Sequence, residues 1–298
     1  MTVRAVVTSL RPHQWTKNLV VFAAWPLGTV EGHLSQHLFD LESAWRVLAA
    51  FVIFCGLSGA VYLLNDVSDV ERDRLHPRKR LRPIASGQLG RQPALLISAL
   101  LAVVACGGSL TLGYRFTAVA LGYVLLNLLY SFWLKNVLIV DALTVSLGFL
   151  LRAVAGALAI SVEINDWLLI CTILLALFIT LCKRRHELTS LNDTASGHRR
   201  ILAEYSPYLL DQMIAVVTAS CVMAYALATT APETVAKYGT HRLAWTIPFV
   251  LYGIFRYLYL VHQKEQGGSP TDILLTDRPL LIDVALWGLA IVVIVYTA

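Results

Sequence analysis

The sequence predicts an all-α, polytopic membrane protein of about nine transmembrane helices, and three observations carry that expectation. Only 14% of the 298 residues are charged and 57% are hydrophobic, where a soluble domain carries about 25% charged residues. Apolar runs long enough to cross about 30 Å of hydrocarbon recur along the whole chain. Lys and Arg, finally, crowd into alternate connecting segments, as they do in membrane proteins of fixed orientation.

The apolar periodicity places spans near 17–31, 44–65, 93–113, 116–134, 138–161, 166–184, 208–230, 244–262 and 280–297. The first is short and contains Pro26. With the N-terminus inside, the inner segments are 1–16, 66–92, 135–137, 185–207 and 263–279. These segments and the adjoining span ends hold about 18 of the 24 Lys and Arg. Arg46, Arg115, Lys237 and Arg242 fall outside, and Arg152 and Arg256 fall within spans. The expected location is therefore the cell (inner) membrane, with a cytoplasmic N-terminus and the C-terminus outside. The net charge of +5 is then topology in a lipid bilayer and gives no case for nucleic acid.

The five cysteines lie inside apolar runs without CxxC spacing and read as small packing residues. The first residues lack an apolar region ending in a small-residue cleavage site, so no cleavable signal peptide is expected. No linker divides the chain. One catalytic domain over 1–298 is expected, with inner loops near 66–92, 185–207 and 263–279 forming the mouth of its site. A short amphipathic helix is expected around 198–205.

The segment "NDVSDVERDRLHPRKRLRPIASG" (65–87) concentrates charge of both signs. If the second span continues helically past Asn65, then Asn65, Asp69 and Asp73 fall at i, i+4 and i+8, and Asp66 shares their stripe. Carboxylates gathered on one face near a helix C-terminus repel each other and the helix dipole. A divalent cation relieves both, and all-oxygen ligation suits Mg²⁺ beside substrate phosphates. The other reading is pairing with Arg72, Arg74 and Arg78 in a solvated loop. His76-Pro77 ends the helix, and Arg78, Lys79, Arg80 and Arg82 follow before a Gly87 turn. Arginines here either grip a metal-bound diphosphate or sit at anionic headgroups. A second charged inner segment, "CKRRHEL" (182–188), follows the sixth span as 65–87 follows the second. That recurrence fits two halves built around one cavity.

"NDVSDVERD" resembles the NDxxDxxxD motif of the UbiA-type intramembrane prenyltransferase superfamily, and "HPRKRLRPIASG" and "RPHQWTKN" (11–18) are similar to its accompanying segments. The resemblance implies a helical bundle around a central cavity with lateral access for a prenyl chain. Most members carry a second, DxxxD motif after the sixth span. Here the matching place offers Lys183, Arg184, Arg185 and Glu187, and Asp193 has no acid four residues away. That departure resembles the branch of polyprenyl-phosphate phosphoribosyltransferases of mycobacteria and relatives, as do "YSFWLKNVLIVDALTVSLGFLLRAVAGA" (130–157) and "GGSPTDILLTDRPLL" (267–281). In that branch phosphoribosyl pyrophosphate carries the diphosphate, and the polyprenyl phosphate is the acceptor. A homotrimer is a further implication of the branch.

On this resemblance Asn65, Asp66, Asp69 and Asp73 hold Mg²⁺ on the donor diphosphate, with the three aspartates as the catalytic acids. A phosphate monoester is largely ionised at neutral pH, its second pKa being about 6, so no strong general base is required; His186 is the nearby candidate. Lys17, Arg78, Arg82, Lys135, Lys183, Arg184 and Arg185 supply cations for the phosphates. Asp141 or Glu187 either bonds ribose hydroxyls or supports developing positive charge. Tyr130 is either a phosphate or ribose donor or part of an interfacial aromatic belt. Arg152, eleven residues beyond Asp141 and so about 16 Å along a helix, either lines the cavity or pairs structurally. Arg256 either snorkels or meets a lipid phosphate. The loop with Asp272, Asp277 and Arg278 either covers the mouth or connects spans. Two other functions compete: a prenyltransferase joining a polyprenyl diphosphate to an aromatic or haem acceptor, and a transporter using acids for ion coupling.

Overall fold

A computed structural model describes residues 2–25, 29–30, 33–34, 40–75, 77, 79–163, 166–189, 204–265, 267–268 and 270–297. Eight of its helices are long and apolar enough to cross a membrane. They are α2 (Leu41–Ser68), α4 (Arg91–Ser109, prolonged by a tight turn to Leu112), α5 (Tyr114–Phe132), α6 (Val140–Ala159), α7 (Asp166–Thr189), α8 (Pro207–Thr230), α10 (Ile247–His262, entered by turns from Arg242) and α12 (Arg278–Thr297). The chain is thus a multi-pass membrane protein, and these helices match the second to ninth expected spans. The start of the first span lies in a tight helical stretch, Pro12–Ala24; residues 26–28 and 31–32 lie outside the described residues. Shorter helices among the described residues include α1 (Val3–Leu10), α3 (Val70–Leu75), α9 (Pro232–Tyr238) and α11 (Pro270–Thr276). The strand pairing among the described residues is a two-residue one, β1 (Thr29–Val30) antiparallel to β2 (His33–Leu34).

The chain divides into two compact units. The first comprises Met1–Trp25, His37–Thr144 and Leu151–Ser161. In it α2 is the central helix, packed on α4, α5 and the 12–24 stretch. Phe54 meets Phe116 edge-on at 6.0 Å between ring centroids, an arrangement aromatic quadrupoles favour. Leu57, Val61 and Ala120 fill in around them. Ser98 on α4 donates to the Ala60 carbonyl of α2 at 2.7 Å, pinning the two helices. Gly156 on α6 lets the 12–24 backbone come so near that a Cβ there would lie 1.9 Å from the Val21 carbonyl oxygen. Only glycine fits that crossing. A separate cluster of Ala5, Leu63, Val70, Ile84, Leu89 and Ala94 seats α1 and the 79–90 turn against the charged end of α2. This is what positions the first group of site residues.

The second unit comprises Pro26–Gln36, Val145–Leu150 and Val162–Ala298. Here α7 packs along α8, α8 on α10, and α10 on α12. Trp287 on α12 donates to the Tyr225 hydroxyl at 2.8 Å, and that hydroxyl pairs with Thr246 at 2.6 Å. Such shared polar contacts hold helices together where lipid offers no competing partner.

Candidate functional site

The first group of residues grows out of the end of α2. The helix formally ends at Ser68, yet the Asp69 amide donates to the Asn65 carbonyl at 2.9 Å and the Asp73 amide to the Asp69 carbonyl at 2.8 Å. Helical spacing therefore continues into α3, as the stripe requires. Asp66 and Asp73 are buried, 2% and 3% exposed, and Arg82 joins them: its Nη1 donates to Asp66 Oδ1 at 3.1 Å and to Asp73 Oδ2 at 2.6 Å. A second guanidinium, Arg11, donates to the same Asp66 oxygen while stacking on the Tyr62 ring at 5.1 Å. Asp69, more exposed, accepts from Lys135 Nζ at 2.9 Å. Asn65 Oδ1 accepts from Ser131 of α5.

Buried carboxylates are costly unless paired and hydrogen-bonded. Here the pairing comes from cations delivered by three separate segments. Arg11 leaves α1 in the left-handed conformation, φ 52. Lys135 comes from the turn between α5 and α6, where Ile139 has φ 68, a strained conformation for a β-branched residue. Arg82 rides the 79–90 turn. The periphery is ordinary surface pairing: Glu71 accepts from Arg91, and that bond holds its carboxyl below the usual carboxylate range.

The donor set fits a hard divalent cation, since three carboxylates and an amide oxygen share one helix end and each aspartate spends a single oxygen on its cation. Among the described residues no three acid, His or Cys side chains already converge as a metal cluster. Arg82, Arg11 and Lys135 hold the positions between them.

The other expected residues of the first unit divide. Lys17 is half-buried on the 12–24 stretch and Tyr130 half-buried near the end of α5. Asp141 is fully buried in the first turn of α6. Arg78 and His76 lie outside the described residues. Arg152 is buried in a polar nest, donating to Asn18 Oδ1 and to the Tyr123 hydroxyl, each at 2.7 Å. Its guanidinium also lies 4.7 Å from the centroid of the Tyr123 ring. The nest satisfies an intramembrane arginine of the kind that must avoid lipid.

The second group lies at the end of α7. Arg184, 3% exposed, donates to Glu187 Oε2 at 2.7 Å, and Lys183 stands 3.8 Å from Glu187 Oε1. Arg185 turns to Asp211 in α8, which also accepts from His262 of α10 at 3.3 Å. Arg256 forms a forked pair with Asp277, at 3.1 and 2.8 Å, and this bond keeps the Asp277 carboxyl below its ordinary range. Asp272 lies in α11 and Arg278 opens α12. The 190–203 segment, with Asp193 and most of the expected amphipathic helix, lies outside the described residues.

Sequence reasoning passed over Arg11, Asp211, His262 and Asp283. Arg11 opens the quoted "RPHQWTKN" and was the detectable one. Asp211 and Asp283 are acids inside apolar spans, a signal in itself. Asp283 is buried against Gly253, where a Cβ would lie 2.9 Å from its Oδ2.

Comparison with known proteins gives the family and the fold. The chain matches the UbiA prenyltransferase family over residues 20–271. It is 34% identical over 297 residues to the decaprenyl-phosphate phosphoribosyltransferase of Corynebacterium glutamicum, covering 98% of this chain and 86% of that one. The Mycobacterium tuberculosis protein of the same name is 34% identical over 285 residues, covering 96% and 92%. The fold is shared with a UbiA homologue from Archaeoglobus fulgidus bound to DMAPP and Mg²⁺, with a TM-score of 0.73 over 98% of this chain and 99% of that one at 16% identity. The chain therefore belongs to the UbiA prenyltransferase family.

Proposed function

We propose that this enzyme transfers the 5-phosphoribosyl group from phosphoribosyl pyrophosphate to a polyprenyl phosphate, decaprenyl phosphate in the relatives' case, releasing pyrophosphate. The product would be a lipid-linked precursor of cell-wall arabinan. The observation that carries the reading is the composition of the α7 end. Lys183, Arg184 and Arg185 stand there with Glu187, where a prenyl diphosphate donor would call for a second pair of aspartates. The 34% identity to phosphoribosyltransferases over 98% of the chain supports it.

Asn65, Asp66, Asp69 and Asp73 would hold Mg²⁺, which neutralises charge on the departing pyrophosphate. Arg82 and Arg11 leave Asp66, and Lys135 leaves Asp69, to meet diphosphate oxygens as bidentate or point-charge partners. A phosphate oxygen of the lipid attacks ribose C1. The bond from C1 to the diphosphate oxygen breaks with its electron pair leaving on pyrophosphate, so no proton need be removed. Lys183 and Arg184 bind the phosphate monoester, and Asp141 or Glu187 bonds ribose hydroxyls. Tyr130 and Lys17 flank the diphosphate end. Arg152, held by Asn18 and Tyr123, maintains the wall of the first unit. The charged ends face the cytoplasm, with the N-terminus inside and the C-terminus outside, and the loops near 66–92, 185–207 and 263–279 form the mouth of a single catalytic domain.

The test supplies purified protein with phosphoribosyl pyrophosphate, Mg²⁺ and a polyprenyl phosphate. Pyrophosphate release that requires all three is expected. Prenylation of an aromatic acceptor from a polyprenyl diphosphate, without phosphoribosyl transfer, would overturn the assignment.

A further inference from the structure

The strap that connects α10 to α12 is tied at His262 and at Asp277 and comes down on the end of α7 at Gly267 and Gly268, of which Gly267 admits no side chain. At its start, His262 is tied to Asp211, the acid that also holds Arg185 of α7. At its finish, Asp277 accepts both Arg256 bonds and also the Leu280 amide at 3.0 Å. The strap therefore leaves α10 and is fastened back to α10. Between these ties Glu265 takes a left-handed turn, φ 52, and Gly267 and Gly268 come down on His186. A Cβ on Gly267 would lie 2.7 Å from His186 Cβ and 3.4 Å from the Cys182 carbonyl oxygen. A Cβ on Gly268 would lie 2.8 Å from His186 Nε2. A methyl group on Gly267 would meet the fixed Cβ of His186 and push the strap off the helix, whereas one on Gly268 would meet the end of the His186 ring and turn that ring aside.

Cys182 and His186 are four residues apart and share one face of α7. Lys183 and Glu187, also four apart, form the neighbouring face. The strap thus runs beside the Lys183–Glu187 pair with its height set by bare backbone against His186. We infer that Gly267, Gly268 and His186 are positioning residues that fix the Lys183 side of the phosphate-monoester subsite assigned above to Lys183 and Arg184. The inference rests on the function proposed above, for which that subsite takes either ribose 5-phosphate or the lipid's phosphate.

The experiment measures binding rather than turnover, so that the two claims can fail separately. Ribose 5-phosphate and a short-chain prenyl phosphate are titrated separately into the detergent-solubilised full chain, alongside Mg²⁺ with pyrophosphate. Gly268→Ala is expected to weaken one monoester about tenfold, a cost of about 1.4 kcal/mol, at unchanged melting temperature and unchanged Mg·pyrophosphate affinity. Which monoester weakens identifies the phosphate. His186→Ala removes the ring that an alanine at 268 strikes, so the Gly268→Ala/His186→Ala pair is expected to recover most of the loss. If Gly268→Ala does not fold, the double variant and Gly267→Ala carry the test. Unchanged affinity for both monoesters in a folded glycine variant overturns the inference, as does an equal loss for all three ligands. Absence of phosphoribosyl transfer in the wild type, with the monoester effect intact, overturns the proposed function alone.

Discussion

The ends of α2 and α7 solve the same problem with opposite signs. At α2, cations are shared among acids: one Arg82 nitrogen serves both Asp66 and Asp73. At α7, acids are shared: Glu187 serves Lys183 and Arg184, and Asp211 serves Arg185 and also meets the His262 ring. At α2 the acids share one helical stripe while Arg11, Arg82 and Lys135 gather around them from outside that stripe. At α7 the helix end itself is basic, and Glu187 and Asp211 are outnumbered by Lys183, Arg184 and Arg185. A stripe of acids suits a metal, and a basic helix end suits a phosphate. The first has its neutralising cations on separate segments, free to turn to an incoming diphosphate. The second has its acids on α7 itself and on the adjacent α8.

The largest effect is expected from removing the cation that two buried acids share. Arg82→Ala leaves Asp73 buried without its guanidinium and Asp66 with Arg11 alone, and breaking a buried pair in this way costs about 3–5 kcal/mol. A marked fall in melting temperature in detergent, with turnover lost, is the expected outcome; Arg82→Lys should recover stability better than activity, because an ammonium lacks the fork.

Next in size are the charges assigned to the ligands themselves. Asp73→Asn is expected to lower turnover about 10²–10³-fold, the magnitude typical of losing one electrostatic partner of a transition state, and to raise the Mg²⁺ concentration for half-maximal rate. Arg184→Ala is expected to weaken phosphate-monoester binding by about one to two orders of magnitude, the range for a hydrogen bond to a charged group. It should leave the Mg²⁺ requirement where it was. Kinetic titrations of each variant separate these outcomes, and a shift in Mg²⁺ requirement with Arg184→Ala would erase the distinction between the two ends.

How much of this was legible in the sequence follows from distance along the chain. The acid stripe depends only on 3.6-residue periodicity, so Asn65, Asp66, Asp69 and Asp73 could be read directly. Spans could be read from apolar length. The partners could not, because Arg11 meets Asp66 across 55 positions and Arg185 meets Asp211 across 26. Arg152 shows the same limit: its depth was predictable, but Asn18 and Tyr123 reach it from 134 and 29 positions away. The loop after α10 was legible as a cover or a connector, but its seat was not. Gly267 and Gly268 rest on His186, a partner far away along the chain.

The smallest effect concerns pH. Arg256 lowers the Asp277 carboxyl below its ordinary value, so the stabilisation it confers is fully present above about pH 4–5 and is lost as pH falls through the lowered folded value. The difference in melting temperature between wild type and Asp277→Asn is expected to stay constant from about pH 8 to 5 and to shrink only below about pH 4. A difference that vanishes near neutrality would mean the strap is fastened by something else.

The central claim is that the α2 end holds metal and diphosphate while the α7 end holds a phosphate monoester. The most direct measurement is equilibrium binding of Mg·pyrophosphate, ribose 5-phosphate and a short prenyl phosphate to Asp73→Asn and Arg184→Ala. The account predicts a crossed result: Asp73→Asn weakens Mg·pyrophosphate alone, and Arg184→Ala weakens one monoester alone. Loss of Mg·pyrophosphate binding in both variants, or in neither, would contradict it.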